Sequence, residues 1–252
     1  IIIIIMKKTL LLISTIAFIF TSCDKDKAIA TDITINFTHT VDGSDLITNS
    51  MIYTNAADEK YDVQTLKYLI SNITLHDDLG YTVLKDIHFI EISDESTFSF
   101  TYDNVPNNNY HAISYTMGLD TVKNISNAYV NENWFGKMEW PDMIGGGYHY
   151  MKLEGDFNDS LSGYGTHTGG TMGGDYSFNN TNDISLTVND DLGDISIDIN
   201  MEINNWYQGP NEIEFSTYVN PDGSAGIMMN MEKQMQLKAN GSLDVFSVTV
   251  KN

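Results

Sequence analysis

Apolar and polar residues alternate with a period of two along much of this chain. In "DITINFTH" (32–39) Ile33, Ile35, Phe37 and His39 share one face, and Thr34, Asn36 and Thr38 take the other. The same alternation runs through "DISLTV" (183–188) and "DISIDINMEI" (194–203), the latter aligning Ile195, Ile197, Ile199, Met201 and Ile203. It returns in "LDVFSVTV" (243–250), where Phe246, Val248 and Val250 oppose Val245, Ser247 and Thr249. Turn clusters such as "VDGSD", "HDDLGY", "VPNNNY" and "NDDLGD" separate these runs. "NMEKQMQLKANG" has helix formers and a Gly stop and predicts a short helix, whereas "DVQTLKYLISN" fits a helical turn or a strand. Many short strands joined by turns predict an all-β protein, an antiparallel β-sandwich (Ig-like or barrel-like) with one or two short helices.

The N-terminal segment departs from this pattern. Lys7 and Lys8 precede an apolar run, Leu10 to Phe20, that ends in "FTSC". That run has the length of a signal-peptide core and falls short of the roughly 20 apolar residues of a spanning helix. Residues 1–22 are therefore expected to be a signal peptide with an artefactual "IIIII" start, and Cys23 the lipidated first residue of an exported bacterial lipoprotein. Residues 23–31 then form a tether, and residues 32–252 a single domain held at a membrane surface by lipid. The setting would be periplasmic or on the outer-membrane surface.

Cys23 is the one cysteine in the sequence, so the mature domain contains no disulfide and no thiolate ligand. Removing residues 1–22 shifts the net charge from −21 to −23, and all 13 basic residues are Lys. A chain without Arg and with so large an acidic excess is not built to neutralise phosphates or read base edges, which excludes nucleic acid as a partner.

Candidate chemistry rests on histidine and methionine. Of the six His, His39 ends a strand on its apolar face, where an imidazole needs a hydrogen bond or a metal. His149 shares parity with Met151 and Leu153 and is expected to face inward with them. His167 sits in a Gly-rich stretch, "GYGTHTGGTMGG", expected to be a loop, while His76 and His88 flank a hairpin and are expected to face solvent. His111 follows a turn and carries no signal. Zinc lacks an HExxH or Cys-pair motif here, and the Asp-rich turns do not fit an EF-hand loop. Copper accepts imidazole and thioether donors, and the chain has 12 Met. No nucleophile elbow, catalytic triad order, Walker loop or dinucleotide fingerprint is present, so an enzyme is not expected.

Several separated blocks, in order, carry a resemblance: "INFTHTVDGSDL", "YTNAADEKYDVQTLKYLISNITLHD", "YHAISYTMGLD", "MEWPDMIGGGYHYMKLEG", "YGTHTG" and "MEINNWYQGPNEIEF". Through them the chain resembles the MbnP-like proteins, in the form found in Bacteroidetes lipoproteins. The resemblance implies a copper protein whose site uses two His and an oxidatively modified Trp. It also implies a partner, a di-haem relative of cytochrome c peroxidase that converts the Trp to kynurenine. Carried onto this sequence, it makes His39 and His167 the expected ligands and Trp140 the residue for modification, with Trp134 and Trp206 as alternatives. His149 is an additional ligand candidate, and Met138 and Met172 are weaker ones. The expected function is copper acquisition, storage or delivery; the alternative is a non-metal surface adhesin or glycan-binding sandwich.

Overall fold

The computed structural model describes residues 31–158, 162–189, 195–220, 222 and 224–251. The expected leader, Cys23 and most of the "NDDLGD" turn lie outside the described residues. Fourteen strands are present among the described residues. They are β1 (Thr31–Val41), β2 (Ser44–Asp45), β3 (Tyr53–Thr54), β4 (Lys60–Tyr61) and β5 (Thr65–Asp77), then β6 (Tyr81–Glu91), β7 (Ser99–Val105) and β8 (Asn108–Met117). After these come β9 (His149–Phe157), β10 (Ser162–Gly169), β11 (Phe178–Val188), β12 (Ile195–Glu202), β13 (Ala225–Gly226) and β14 (Phe246–Lys251). The α-helices are α1 (Phe135–Met138), α2 (Asn205–Gln208) and α3 (Met231–Gly241).

The strands form two sheets. One runs β14-β12-β1-β2, with β7 also paired to β1; the other runs β11-β8-β5-β9-β10-β13, with β6 on β5 and the β3–β4 pair joined to β9. The all-β, mainly antiparallel architecture is the one the alternation predicts. Two pairings, β1–β12 and β10–β13, are parallel; period-two patterning reports which face a residue takes and not the direction of its neighbour. The β1–β12 register sets Ile33, Ile35, Phe37 and His39 beside Ile195, Ile197, Ile199 and Met201. All eight are buried, and with Leu66, Tyr68, Ile70, Met151 and Leu153 of the facing sheet they enclose the main core.

The ambiguous segment "DVQTLKYLISN" belongs to strand β5 from Thr65 onward. Its helix-like spacing arises because β5 is buried on both faces. Tyr68 and Ile70 enter the main core, while Leu69 points the other way into a second apolar cluster with Trp134, Met138, Tyr148 and Tyr150. That second cluster is roofed by the excursion between β8 and β9, residues 118–148, which lies on the outer face of the larger sheet. The helix predicted at "NMEKQMQLKANG" is α3, capped by Asn230, whose side chain accepts from the Lys233 amide at 3.1 Å.

Candidate metal centre

The structure divides the expected ligands between two places. His39 faces the space between the sheets, where its Nε2 lies 3.0 Å from the Tyr68 hydroxyl and its ring packs edge-on against Tyr68 and Phe98. Burial lowers its pKa to about 4. Tyr68, Met151 and Thr168 are register partners across β5, β9 and β10, and His39 meets that row from the inner side. His167 is one residue before Thr168 and therefore points through the opposite face of the sheet. The expected convergence of His39 with His167 does not occur; a full sheet thickness separates them, and His39 is a hydrogen-bonded core histidine.

His167 meets His149 and Trp140 instead. The His149 ring is 4.6 Å from Trp140 and 5.1 Å from His167, centroid to centroid, with both contacts edge-to-face. Strict alternation would have sent His149 inward with Met151 and Leu153. A register shift opposite His149 breaks that alternation: Thr168 pairs with Met151 but Gly169 with His149, which leaves Tyr150 unmatched. A bulge of this kind re-aims a side chain, and here it brings His149 to the outer face.

Trp140 is placed by the glycine triplet. Its amide donates to the Gly147 carbonyl at 2.9 Å, and Glu139 bridges to Tyr148, so the chain reverses between them. Gly145, Gly146 and Gly147 have φ of 133°, 69° and 83°, values costly for any residue with a Cβ. The indole then lies flat against bare backbone. A Cβ on Gly169 would fall 2.5 Å from Trp140 Cε3, 2.7 Å from Cζ3 and 2.8 Å from Cδ2.

The hydrogen bonding of this cluster is incomplete. A carbonyl only accepts, so the 3.3 Å contact between His149 Nδ1 and the Met138 carbonyl puts the proton on Nδ1. Nε2 is left with its lone pair and, buried, has no hydrogen-bond partner; Trp140 Nε1 is equally buried and unpartnered. Burial first, and the neighbouring His167 and Lys152 next, lower the His149 pKa to about 3, so the ring is neutral. His167 Nε2 contacts Glu154 Oε1 at 2.6 Å, and this bond is the main reason the Glu154 carboxyl sits below its usual range. Behind His167, buried Gln234 of α3 donates to the His167 carbonyl at 2.6 Å and accepts from the Gly169 amide at 3.3 Å, fixing β10 at this point. The indole also borders a cavity of about 320 Å³ lined by Ser126, Asn127, Glu139 and Gly147.

The remaining candidates lie elsewhere. Trp134 and Met138 belong to the second apolar cluster, and Trp206 packs in the main core against Phe178 and Phe246. Met172 is exposed. His88 does not face solvent as expected: it stacks on Phe37 at 5.0 Å, and its Nε2 donates to the Thr97 carbonyl at 2.8 Å. "GYGTHTG" is strand β10, not a loop. The sequence offered no handle on Glu154 or Gln234, because each acts across a pairing that only the fold creates. Among the described residues, no group of three or more His, Cys, Asp or Glu is placed to hold a metal ion.

Fold and site together define a two-sheet β protein with a His–His–Trp constellation, buried at His149 and Trp140 and half-buried at His167, on the outer face of its larger sheet. The chain belongs to the MbnP family, whose model matches residues 30–229, a family associated with copper. The structure of MbnP from Methylosinus trichosporium has a similar fold, with a TM-score of 0.55 at 11% identity, covering 88% of this chain and 99% of that one. No curated protein matches the sequence.

Proposed function

We propose that this protein binds copper through His149, His167 and a modified Trp140, and that it acquires, stores or delivers the metal as cargo instead of turning over a substrate. The observation that carries the reading is the unpartnered lone pair of His149 Nε2, buried beside a second imidazole and an unpartnered indole. Leaving a buried polar atom unsatisfied costs about 1–3 kcal/mol, and a bound metal removes that cost. The Met138 carbonyl fixes the His149 tautomer in the way outer-shell partners fix metal-bound imidazoles. Glu154 holds one nitrogen of His167 and leaves the other for the metal.

Two imidazoles make a weak site alone, and the third donor has to come from the indole. The indole nitrogen commits its lone pair to the aromatic system. Adding both atoms of O₂ across the Cγ–Cδ1 bond and hydrolysing off formate gives kynurenine, an aryl amine with an available lone pair. O₂ is the oxidant in this step, and the catalyst we assign to its addition is a di-haem relative of cytochrome c peroxidase. The exported lipoprotein form, tethered through Cys23 at the periplasmic or outer-membrane surface, places the site where such a haem partner and extracytoplasmic copper meet.

A peptide map of residues 138–155 from native protein, with a copper assay on the same sample, tests this reading. The expected result is a Trp140 that has lost one carbon and gained one oxygen, with one copper per chain. His149→Ala and His167→Ala should each abolish tight binding, and His39→Gln should leave it intact. Undiminished affinity in both alanine variants overturns the proposal.

A further inference from the structure

A second feature lies on the other side of Pro141. Pro141, Met143 and Ile144 line a common surface cavity of about 700 Å³ with Asn220, Gly226 and residues 228–232, which are distant in the sequence. Four of its lining residues are methionines: Met143, Met228, Met229 and Met231, joined by Pro141 and Ile144. Methionine is ordinarily a core residue, yet Met143 is 89% exposed, Met229 65% and Met231 52%. Only five of the chain's methionines are prominently exposed among the described residues, and three of them line this one cavity. Chance scatter of exposed apolar residues does not concentrate a single side-chain type in this way, and Leu or Ile would serve as well where only apolar area is required.

Thioether sulfur distinguishes Met from Leu. It is a soft, uncharged donor that suits soft cations such as Cu(I) and not hard ones such as magnesium or calcium. The unbranched side chain has three rotatable bonds, so donors from two segments can turn inward on one ion. The acidic chain, with net charge −21, raises the local concentration of any cation at its surface. From these observations we infer that the cavity lined by Met143, Met228, Met229 and Met231 is a separate binding site for a soft monovalent cation, Cu(I) or Ag(I). The inference stands on the thioethers alone and does not depend on the imidazole cluster. Pro141 lines this cavity and also the one bordered by Trp140, so the two sites are neighbours.

The test is a titration of the full chain, labelled with ¹³C at the methionine ε-methyl groups, with Ag(I), and with Cu(I) under reducing anaerobic conditions. The ε-methyl resonances of Met143, Met228, Met229 and Met231 should shift saturably, while those of buried Met151 and Met201 should stay in place. Met→Leu exchange preserves volume and fold, so a variant with all four replaced by Leu should lose one bound Ag(I) per chain, with near-native thermal unfolding. Protein carrying His149→Ala and His167→Ala should retain the four shifts, which separates this site from the imidazole one. Absence of shifts, non-saturating shifts, or unchanged Ag(I) stoichiometry in the four-Leu variant overturns the inference.

Discussion

His39→Gln separates a core histidine from a metal ligand by a measurement that needs no metal. In the folded chain His39 is buried, hydrogen-bonded to Tyr68 at 3.0 Å, and has a pKa lowered by burial to about 4. In the unfolded chain it titrates near the ordinary 6.5. Between these values the unfolded state holds a proton that the folded state lacks, so stability rises with pH. The contribution is fully present above pH 6.5 and is lost as pH falls toward 4. One proton corresponds to about 1.4 kcal/mol per pH unit, and the whole window to about 3 kcal/mol for this residue. His88 and His149, with pKa values of about 4 and about 3, act in the same direction. Wild-type stability should therefore fall with an apparent uptake approaching three protons. Gln keeps a group that can bond Tyr68 but does not titrate. Equilibrium urea unfolding in half-unit steps from about pH 7.5 to 4.5 should show the His39→Gln slope reduced by about 1.4 kcal/mol per pH unit, with an unchanged m-value. An identical slope in wild type and variant refutes the burial argument. Loss of copper binding in the same variant would move His39 back into the site.

Gly169→Ala puts a methyl group into the Trp140 ring and should destabilise the protein by about 1–3 kcal/mol, read as a lower urea midpoint, with displaced Trp140 resonances in the NMR spectrum. Gln234→Leu leaves the His167 carbonyl and Gly169 amide without their side-chain partner and should cost about 1–3 kcal/mol; unaltered stability would show that α3 does not hold β10. Glu154→Gln removes the carboxylate that orients His167 and should weaken copper binding by roughly 10-fold or more in a competition titration, with little change in the unfolding midpoint of the metal-free protein.

Much of the scaffold was legible because burial imposes period two on a strand. β1 and β12 alternate cleanly, and each buries one face against the other sheet. α3 was legible through its helix-forming residues and glycine stop, and the structure adds the Asn230 cap. β5 was not, since burial on both faces removes the alternation and leaves a spacing that a helix would also give. The site was half legible. Trp140 and His167 were picked out by the resemblance, with His149 as an additional candidate, yet their meeting depends on a bulge that no local pattern announces. His39 shows the opposite failure: an imidazole on an apolar face is correctly placed by periodicity, but the Tyr68 hydroxyl that satisfies it comes from a strand of the other sheet.

Gly169 has a consequence for any chemistry at the indole. The three atoms that press on it, Cδ2, Cε3 and Cζ3, all belong to the six-membered ring, which is the half that survives conversion to kynurenine. Cγ and Cδ1, the atoms of the bond that would be cut, are not among the three nearest to this seat. Oxidative opening as proposed would carry off Cδ1 alone as formate, while the six-membered ring, with the new amine attached to it, keeps its seat on the Gly169 backbone.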